Sequence, residues 1–139
     1  MRYVVDASVA VKWYVPEIHS VAAERLLDSV HDLHAPDLIV PEFGNILWKK
    51  IARGELTVRE GRKIVDAFLA VPVFKHSTSP LLAPTLDGAT QSAQTVYDWT
   101  YLAMAIALDC AMVTADEKFF LALGNGRLGR HLCWVADLP

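Results

Sequence analysis

The chain has 139 residues, a length that suits one domain spanning 1–139. With 53% hydrophobic residues it buries a real core, which excludes a disordered chain. A net charge of −3 excludes a global basic field, so any contact with nucleic acid must come from a local basic patch.

Arg2–Asp6 (RYVVD) reads as a short buried strand ending at an acid. Ser8 is placed to cap the turn that follows, with Val9–Val15 helical or irregular. Val21, Leu26, Leu27 and Val30 recur at helical spacing and predict a helix over His19–Asp32. Leu38–Val40 is a short apolar segment after Pro36, and Pro41 sits where a first helical turn tolerates it. That helix runs to about Arg53 and stops at Gly54. Thr57 and Glu60 form a candidate capping box for a helix through about Ala70. Val71–Phe74 reads as a strand, and Ser79–Ala93 as a helix weakened by Pro84 and Gly88. Tyr97 or Asp98 opens a strongly apolar helix through Leu108. A strand over Ala111–Thr114, a short helix over Glu117–Leu123 and a strand over Leu132–Val135 complete the order. Alternating strands and helices, with strands that are short apolar runs, predict an α/β sandwich around a mostly parallel sheet covered by helices.

Several function classes drop out. Cys110 and Cys133 lie in apolar stretches and read as buried thiols of a cytoplasmic protein. No histidines stand at ligand spacing from them, so a zinc site has no support. Asp6 and Lys12 interrupt the apolar start of the chain and argue against a secretory signal. The apolar run Tyr101–Leu108 is far short of a membrane span. Gly124–Gly129 spells GxGxxG, but a helix precedes it and a strand follows, the reverse of a dinucleotide fingerprint. His31 and His34 read as a surface helix end.

Four acids fall at informative places. Asp6 ends the first strand and Asp116 lies just past the Ala111–Thr114 strand, so in a parallel sheet both reach the carboxyl edge, where open α/β folds bind ligands. Glu42 is in the first turn of one helix and Asp98 at the start of another. Each has an ordinary local explanation: Asp98 as an N-cap, Glu42 as a favourable charge at a helix start, and Asp116 in the first turn of a helix capped by Thr114 with Glu117. Asp6 has none, since it enters a region that is usually dry. Together the four fit a shared cation. Carboxylates crowded in one cleft repel and take up protons unless a cation reverses that preference. Oxygen-only ligands favour Mg²⁺ or Mn²⁺. Such ions activate water and polarise phosphate.

The segments Val4-Val5-Asp6-Ala7-Ser8, Pro41-Glu42-Phe43-Gly44-Asn45, Asp98-Trp99-Thr100-Tyr101-Leu102-Ala103 and Val113-Thr114-Ala115-Asp116, in this order and spacing, resemble PIN domains, most of all VapC-type toxins of bacterial and archaeal toxin–antitoxin pairs. The resemblance covers nearly the whole chain. It implies a PIN-like three-layer sandwich and a Mg²⁺- or Mn²⁺-dependent endoribonuclease that hydrolyses RNA phosphodiester bonds. It also implies a homodimer held inactive by a small antitoxin. By motif position it puts the acidic ligands at Asp6, Glu42, Asp98 and Asp116, with Ser8, Asn45 and Thr114 in support. Trp99 departs from the small residue expected there and bears on the wall of the site.

Basic residues are uneven, with Lys49, Lys50, Arg53, Arg59, Arg62 and Lys63 within fifteen positions. They are either a solvated helical hairpin or a phosphate-contacting rim led by Lys49 and Arg53. Arg127 and Arg130, in the glycine-rich loop, are further candidates for RNA phosphates. Two other readings compete: a phosphotransfer or phosphatase-like domain using Asp6, which lacks the Asp-x-Asp pattern, and a catalytically inactive PIN-like RNA-binding module, against which the four acids argue.

Overall fold

The structure is a computed structural model and describes residues 1–139. In chain order the elements are β1 (Arg2–Val5), α1 (Ala7–Ala10), α2 (Ser20–Glu24), β2 (Asp32–Pro36), α3 (Ile39–Ala52), α4 (Val58–Ala70), β3 (Val73–His76), α5 (Leu82–Ser92), α6 (Val96–Ala107), β4 (Ala111–Thr114), α7 (Glu117–Leu123) and β5 (Leu132–Trp134). All five strands are parallel, in the order β3-β2-β1-β4-β5. The chain builds outward from β1 in one direction through β2 and β3, then returns to the other side of β1 with β4. The gap between the carboxyl ends of β1 and β4 is therefore a topological switch point, the usual ligand crevice of an open α/β sheet.

The two strands at this switch point are the driest. Tyr3, Val4 and Val5 of β1 and Met112, Val113 and Thr114 of β4 are all buried, although successive side chains point to opposite faces. Both faces of the sheet are therefore covered, giving the three layers expected of short apolar parallel strands. Helix α6 packs across β1, β2 and β4. Every residue from Trp99 to Ala105 is buried, because the middle of this helix has no solvent face to spare. No helix is long and apolar enough to cross a membrane.

Three expectations are corrected. The helix predicted over His19–Asp32 is only α2 and a 3₁₀ turn at Arg25–Leu27, and the chain then enters β2. Val30, counted in the helical pattern, is exposed, while Leu26 alone of that set reaches the core. His34 is thus a strand residue rather than part of a helix end. Its ring stacks with those of Phe74 and His76 on β3, and its Nδ1 lies 2.9 Å from His76 Nε2. Leu38–Val40 is the start of α3. β3 begins two residues later than predicted and extends to His76.

The glycine that weakened the predicted helix over Ser79–Ala93 has a packing reason. A Cβ on Gly88 would come within 2.4 Å of the Trp99 ring. Trp99 donates from Nε1 to Ser92 Oγ at 2.7 Å and so turns toward α5. The bulky residue at this position is absorbed by α5 and is not a wall of the acidic site.

Candidate active site

A cleft of about 480 Å³ opens at the switch point, and Asp6, Glu42, Asp98 and Asp116 all line it. Ser8, Asn45 and Lys49 share its wall. The structure thus gathers the four acids singled out from the sequence, together with two of the three supporting residues and one of the four basic candidates.

Each acid is delivered by a different local device. Asp6 follows β1 directly, and its backbone N–H still donates to Val113 O on β4. It stands at the N-cap position of α1, yet its carboxylate makes no capping bond. Instead Oδ2 accepts from Ser8 Oγ at 2.9 Å and from Thr114 Oγ1 at 3.0 Å. Each hydroxyl is itself oriented by a backbone N–H from the end of β4, Ala115 to Ser8 Oγ and Asp116 to Thr114 Oγ1. Both hydroxyls converge on one oxygen and leave Oδ1 without a hydrogen-bond partner. Thr114, buried behind the cleft, acts through Asp6 and does not cap the helix that follows.

Helix α3 carries its two duties on adjacent stripes. Ile39, Phe43 and Leu47 face the core, and the Phe43 ring stacks on Phe68 of α4 at 3.9 Å. Glu42, Asn45 and Lys49, at spacings of three and four, form the neighbouring stripe along the cleft. Glu42 Oε1 accepts a 2.6 Å hydrogen bond from Tyr101 Oη. Tyr101 is fully buried, and the sequence places it in an apolar run and in the family segment without giving it a role. The available signal was its position one turn after Asp98, on the same side of α6.

The other two acids do serve local roles. Thr95 caps α6: its Oγ1 accepts from Asp98 N at 3.1 Å and donates to Asp98 Oδ2 at 3.0 Å. Asp98 is therefore the third helical residue, not the cap. Asp116 caps α7, its Oδ1 accepting from Phe119 N at 3.0 Å.

The electrostatics are those of an uncompensated acidic site. Burial, with Glu42 and Asp98 adding to it and the Ser8 and Thr114 hydrogen bonds opposing it, pushes the Asp6 carboxyl up to about 7. Burial raises Glu42 as well, against the Tyr101 hydrogen bond and with the help of Asp98. Burial and nearby Asp116 raise Asp98, against the Thr95 bond. Burial and the charges of Asp6 and Glu42 raise the Tyr101 phenol, which stays a donor. None of the four acids takes part in a salt bridge. Their donor set is all oxygen, which suits a hard divalent cation. In this conformation no three of them close on a single point.

The basic candidates divide. Lys49 lines the cleft, and Arg53 is exposed one turn further along, at the end of α3. Lys50 is held by Glu17 at 3.2 Å and Glu55 at 3.6 Å. Arg130 pairs with Asp109, which precedes β4, so it lies at the sheet edge opposite the acids. Arg127 borders a separate small cavity beside Trp99.

Comparison with known proteins identifies the family and the fold. A family model described as PIN domain matches residues 3–123. Ribonuclease VapC3 of Pyrobaculum aerophilum is 35% identical over 122 residues, covering 85% of this chain and 92% of that protein. The crystal structure of PAE2754 from the same organism superposes with a TM-score of 0.69 at 23% identity, over 88% of this chain and 79% of that one. VapBC2 from Rickettsia felis, solved bound to a DNA fragment from the promoter of the pair, gives 0.66 at 15% identity, over 96% and 98%.

Proposed function

The chain belongs to the PIN domain family, and we propose that it is a divalent-metal-dependent endoribonuclease, the toxin of a toxin–antitoxin pair. One observation carries the reading: a buried carboxylate, Asp6, has one oxygen held by two hydroxyls and the other free, beside three more carboxylates and no salt-bridged cation. The ribonuclease names of its relatives support the activity, and the VapBC2 pair supports a small antitoxin partner.

Asp6, Glu42, Asp98 and Asp116 would hold Mg²⁺ or Mn²⁺. A bound ion of this kind supplies charge at the scissile phosphate and lowers the pKa of a water it holds. Mg²⁺ binds through one or two carboxylates and keeps several waters, so the site does not need three acids on one point. Ser8 and Thr114 fix the rotamer of Asp6 by occupying Oδ2. Tyr101 fixes Glu42 by occupying Oε1. Asn45, one turn after Glu42, presents an amide to the phosphate or its water. Lys49 faces a flanking phosphate. A phosphotransfer enzyme built on an aspartate nucleophile would carry a second acid at Asp-x-Asp spacing, and Ser8 stands there instead.

Cytoplasmic location and a homodimer belong to the same proposal. Exposed Trp48, Phe74 and Leu86 supply apolar surface for partners, while Trp13 and Trp99 are buried. The deciding experiment incubates the purified protein with total RNA, with Mg²⁺ or Mn²⁺ and with EDTA. Cleavage with metal alone, absent in Asp6→Asn, is expected, together with metal-dependent thermal stabilisation that the variant loses. Intact RNA with both ions would overturn the reading.

A further inference from the structure

A second groove, of about 680 Å³, runs on from the acidic cleft, and the two share Leu38, Pro41 and Tyr97. It lies where the starts of α3, α5 and α6 meet. Its chemistry differs from that of the cleft. No lysine, arginine or histidine lines it, and its one charged residue is the carboxylate of Asp37. A second phosphate would meet repulsion there. The rest of the wall is apolar or hydroxylic, with Val40 and Leu82 beside Thr78, Thr85 and Thr100.

Two features mark it as a binding surface. Tyr97 is 62% exposed and lines both the cleft and the groove. Thr85 is only 1% exposed, lines the groove, and its Oγ1 has no hydrogen-bond partner. Buried hydroxyls in native proteins almost always have one.

We propose that this groove is a nucleotide subsite of the RNA, seating a base against Tyr97 and its ribose among the threonine hydroxyls, next to the phosphate that is cut. The proposal rests on the ribonuclease reading. Unpaired RNA is read by splaying bases onto aromatic rings and by bonding the 2′-hydroxyl, and a duplex offers no free base face. Tyr97 is therefore the residue that favours an unpaired segment over a duplex at this subsite.

The test uses the full chain carrying Asp6→Asn, so that RNA is bound and not cut. Fluorescent mixed-sequence single-stranded RNA decamers, and duplexes of the same length, are titrated by anisotropy at several salt concentrations. Tyr97→Ala should weaken single-strand binding by about tenfold, within the range that base–aromatic stacking supplies. Tyr97→Phe should restore it to within about twofold, since the ring face is kept. Duplex binding and the salt slope should not change, because no phosphate contact is lost. Single-strand binding by Tyr97→Ala equal to that of the parent overturns the proposal. So does an equal loss in Tyr97→Phe. If Tyr97→Ala or Leu82→Asp converts a dimer to a monomer in light scattering, the groove is an interface between copies and the proposal also fails. Failure of the ribonuclease reading is distinct: the chain with Asp6 intact would then cut no RNA in either metal. Cleavage with an unchanged KM in Tyr97→Ala removes the subsite alone.

Discussion

The two sides of the acidic cleft hold two carboxylates each, and they differ in where the hydrogen-bond partners come from. On the deep side, Asp6 and Glu42 are positioned by Thr114 and Tyr101, partners 108 and 59 residues away in the chain. On the shallow side, Asp98 and Asp116 are positioned by groups three residues away, within the first turns of α6 and α7. The shallow acids would have the same local bonds in any capped helix. The deep acids are held by bonds that only the assembled fold supplies, while burial raises Asp98 as it raises them. A carboxylate whose only local benefit is a cap is explained by helix stability, whereas a buried carboxylate at a switch point with its pKa driven up needs a counter-charge.

The sharpest way to break this contrast is to neutralise one acid on each side. Asp6→Asn should lower metal-dependent RNA cleavage by more than the roughly 10–100-fold that loss of an outer-shell partner typically costs. Asp116→Asn should lower cleavage as well. The two should separate in stability without metal. Asp116→Asn keeps a good capping residue, so little change in Tm is expected. Asp6→Asn removes a buried charge and should leave the protein as stable or more so in EDTA. Equal, large losses of Tm in both variants would make the acids structural and end the distinction.

The same contrast has a pH signature. The Asp6 carboxyl is raised from 3.8 to about 7, so folding favours its protonated form. Its contribution is present below about pH 4 and is lost as pH rises through 7, by up to about 4 kcal/mol. Denaturant unfolding of the metal-free protein should show stability falling across that window. Asp6→Asn should flatten the fall, and Mg²⁺ or Mn²⁺ should reverse it at neutral pH by mass action. A pH profile unchanged by Asp6→Asn would mean that the carboxylate is better compensated than its surroundings imply.

Tyr101→Phe probes the deep side more gently. It removes the hydrogen bond to Glu42 Oε1 and keeps the ring that fills the core. A roughly 10–100-fold loss in metal affinity or activity is expected, as for other partners that orient a ligand. The Tyr101 bond lowers the Glu42 pKa, so its loss should move the acid limb of the cleavage profile to higher pH. The shallow-side counterpart is Thr95→Ala, which should cost about 1 kcal/mol of stability through the lost cap. It should change cleavage less than Tyr101→Phe does. The reverse ranking would show that Asp98, not Glu42, is the acid whose orientation matters.

Legibility in the sequence follows the same division. The acids stood out because each sits at a strand end or a helix start, which one-dimensional patterns mark. The Thr57–Glu60 capping box was legible because both of its bonds are local, and both form. The partners of Asp6 and Glu42 were less so, since a threonine ending a strand and a tyrosine in an apolar helix look like core. Ser8 and Thr114 read locally as helix or turn caps and enter the site only through the family pattern, and Tyr101 stands in that pattern without a role of its own. β2 was missed for a related reason. Its five residues DLHAP have little strand character, and the pairing of His34 with Phe74 and His76 comes from a neighbouring strand forty residues on. Lys50 looked equivalent to Lys49 because Glu17, which holds it, is 33 residues away.

That last pair gives the smallest and most selective test. Lys49 and Lys50 are adjacent in sequence, so about 100° of helical turn separates their directions. Lys49 lies on the stripe of Glu42 and Asn45 along the cleft, while Lys50 is tied to Glu17 and Glu55. An RNA strand leaving a metal-held phosphate carries further phosphates that the ion does not neutralise. Lys49, seven residues beyond Glu42, stands roughly 10 Å along the axis from it. Arg53 follows one turn later at the exposed end of the helix. Lys49→Ala with Arg53→Ala should therefore raise KM several-fold with a smaller effect on kcat. Each lost phosphate contact should also flatten the salt dependence of binding by about one unit of slope. Lys50→Ala removes the same formal charge one residue away and should leave the salt slope unchanged. Its cost should appear as a small loss of stability, because Glu17 keeps Lys12 at 3.2 Å as a partner. If Lys50→Ala changes the slope as much as Lys49→Ala, the hairpin acts only through its overall charge. The distinction between a cleft-lining stripe and a solvated face would then not extend to RNA.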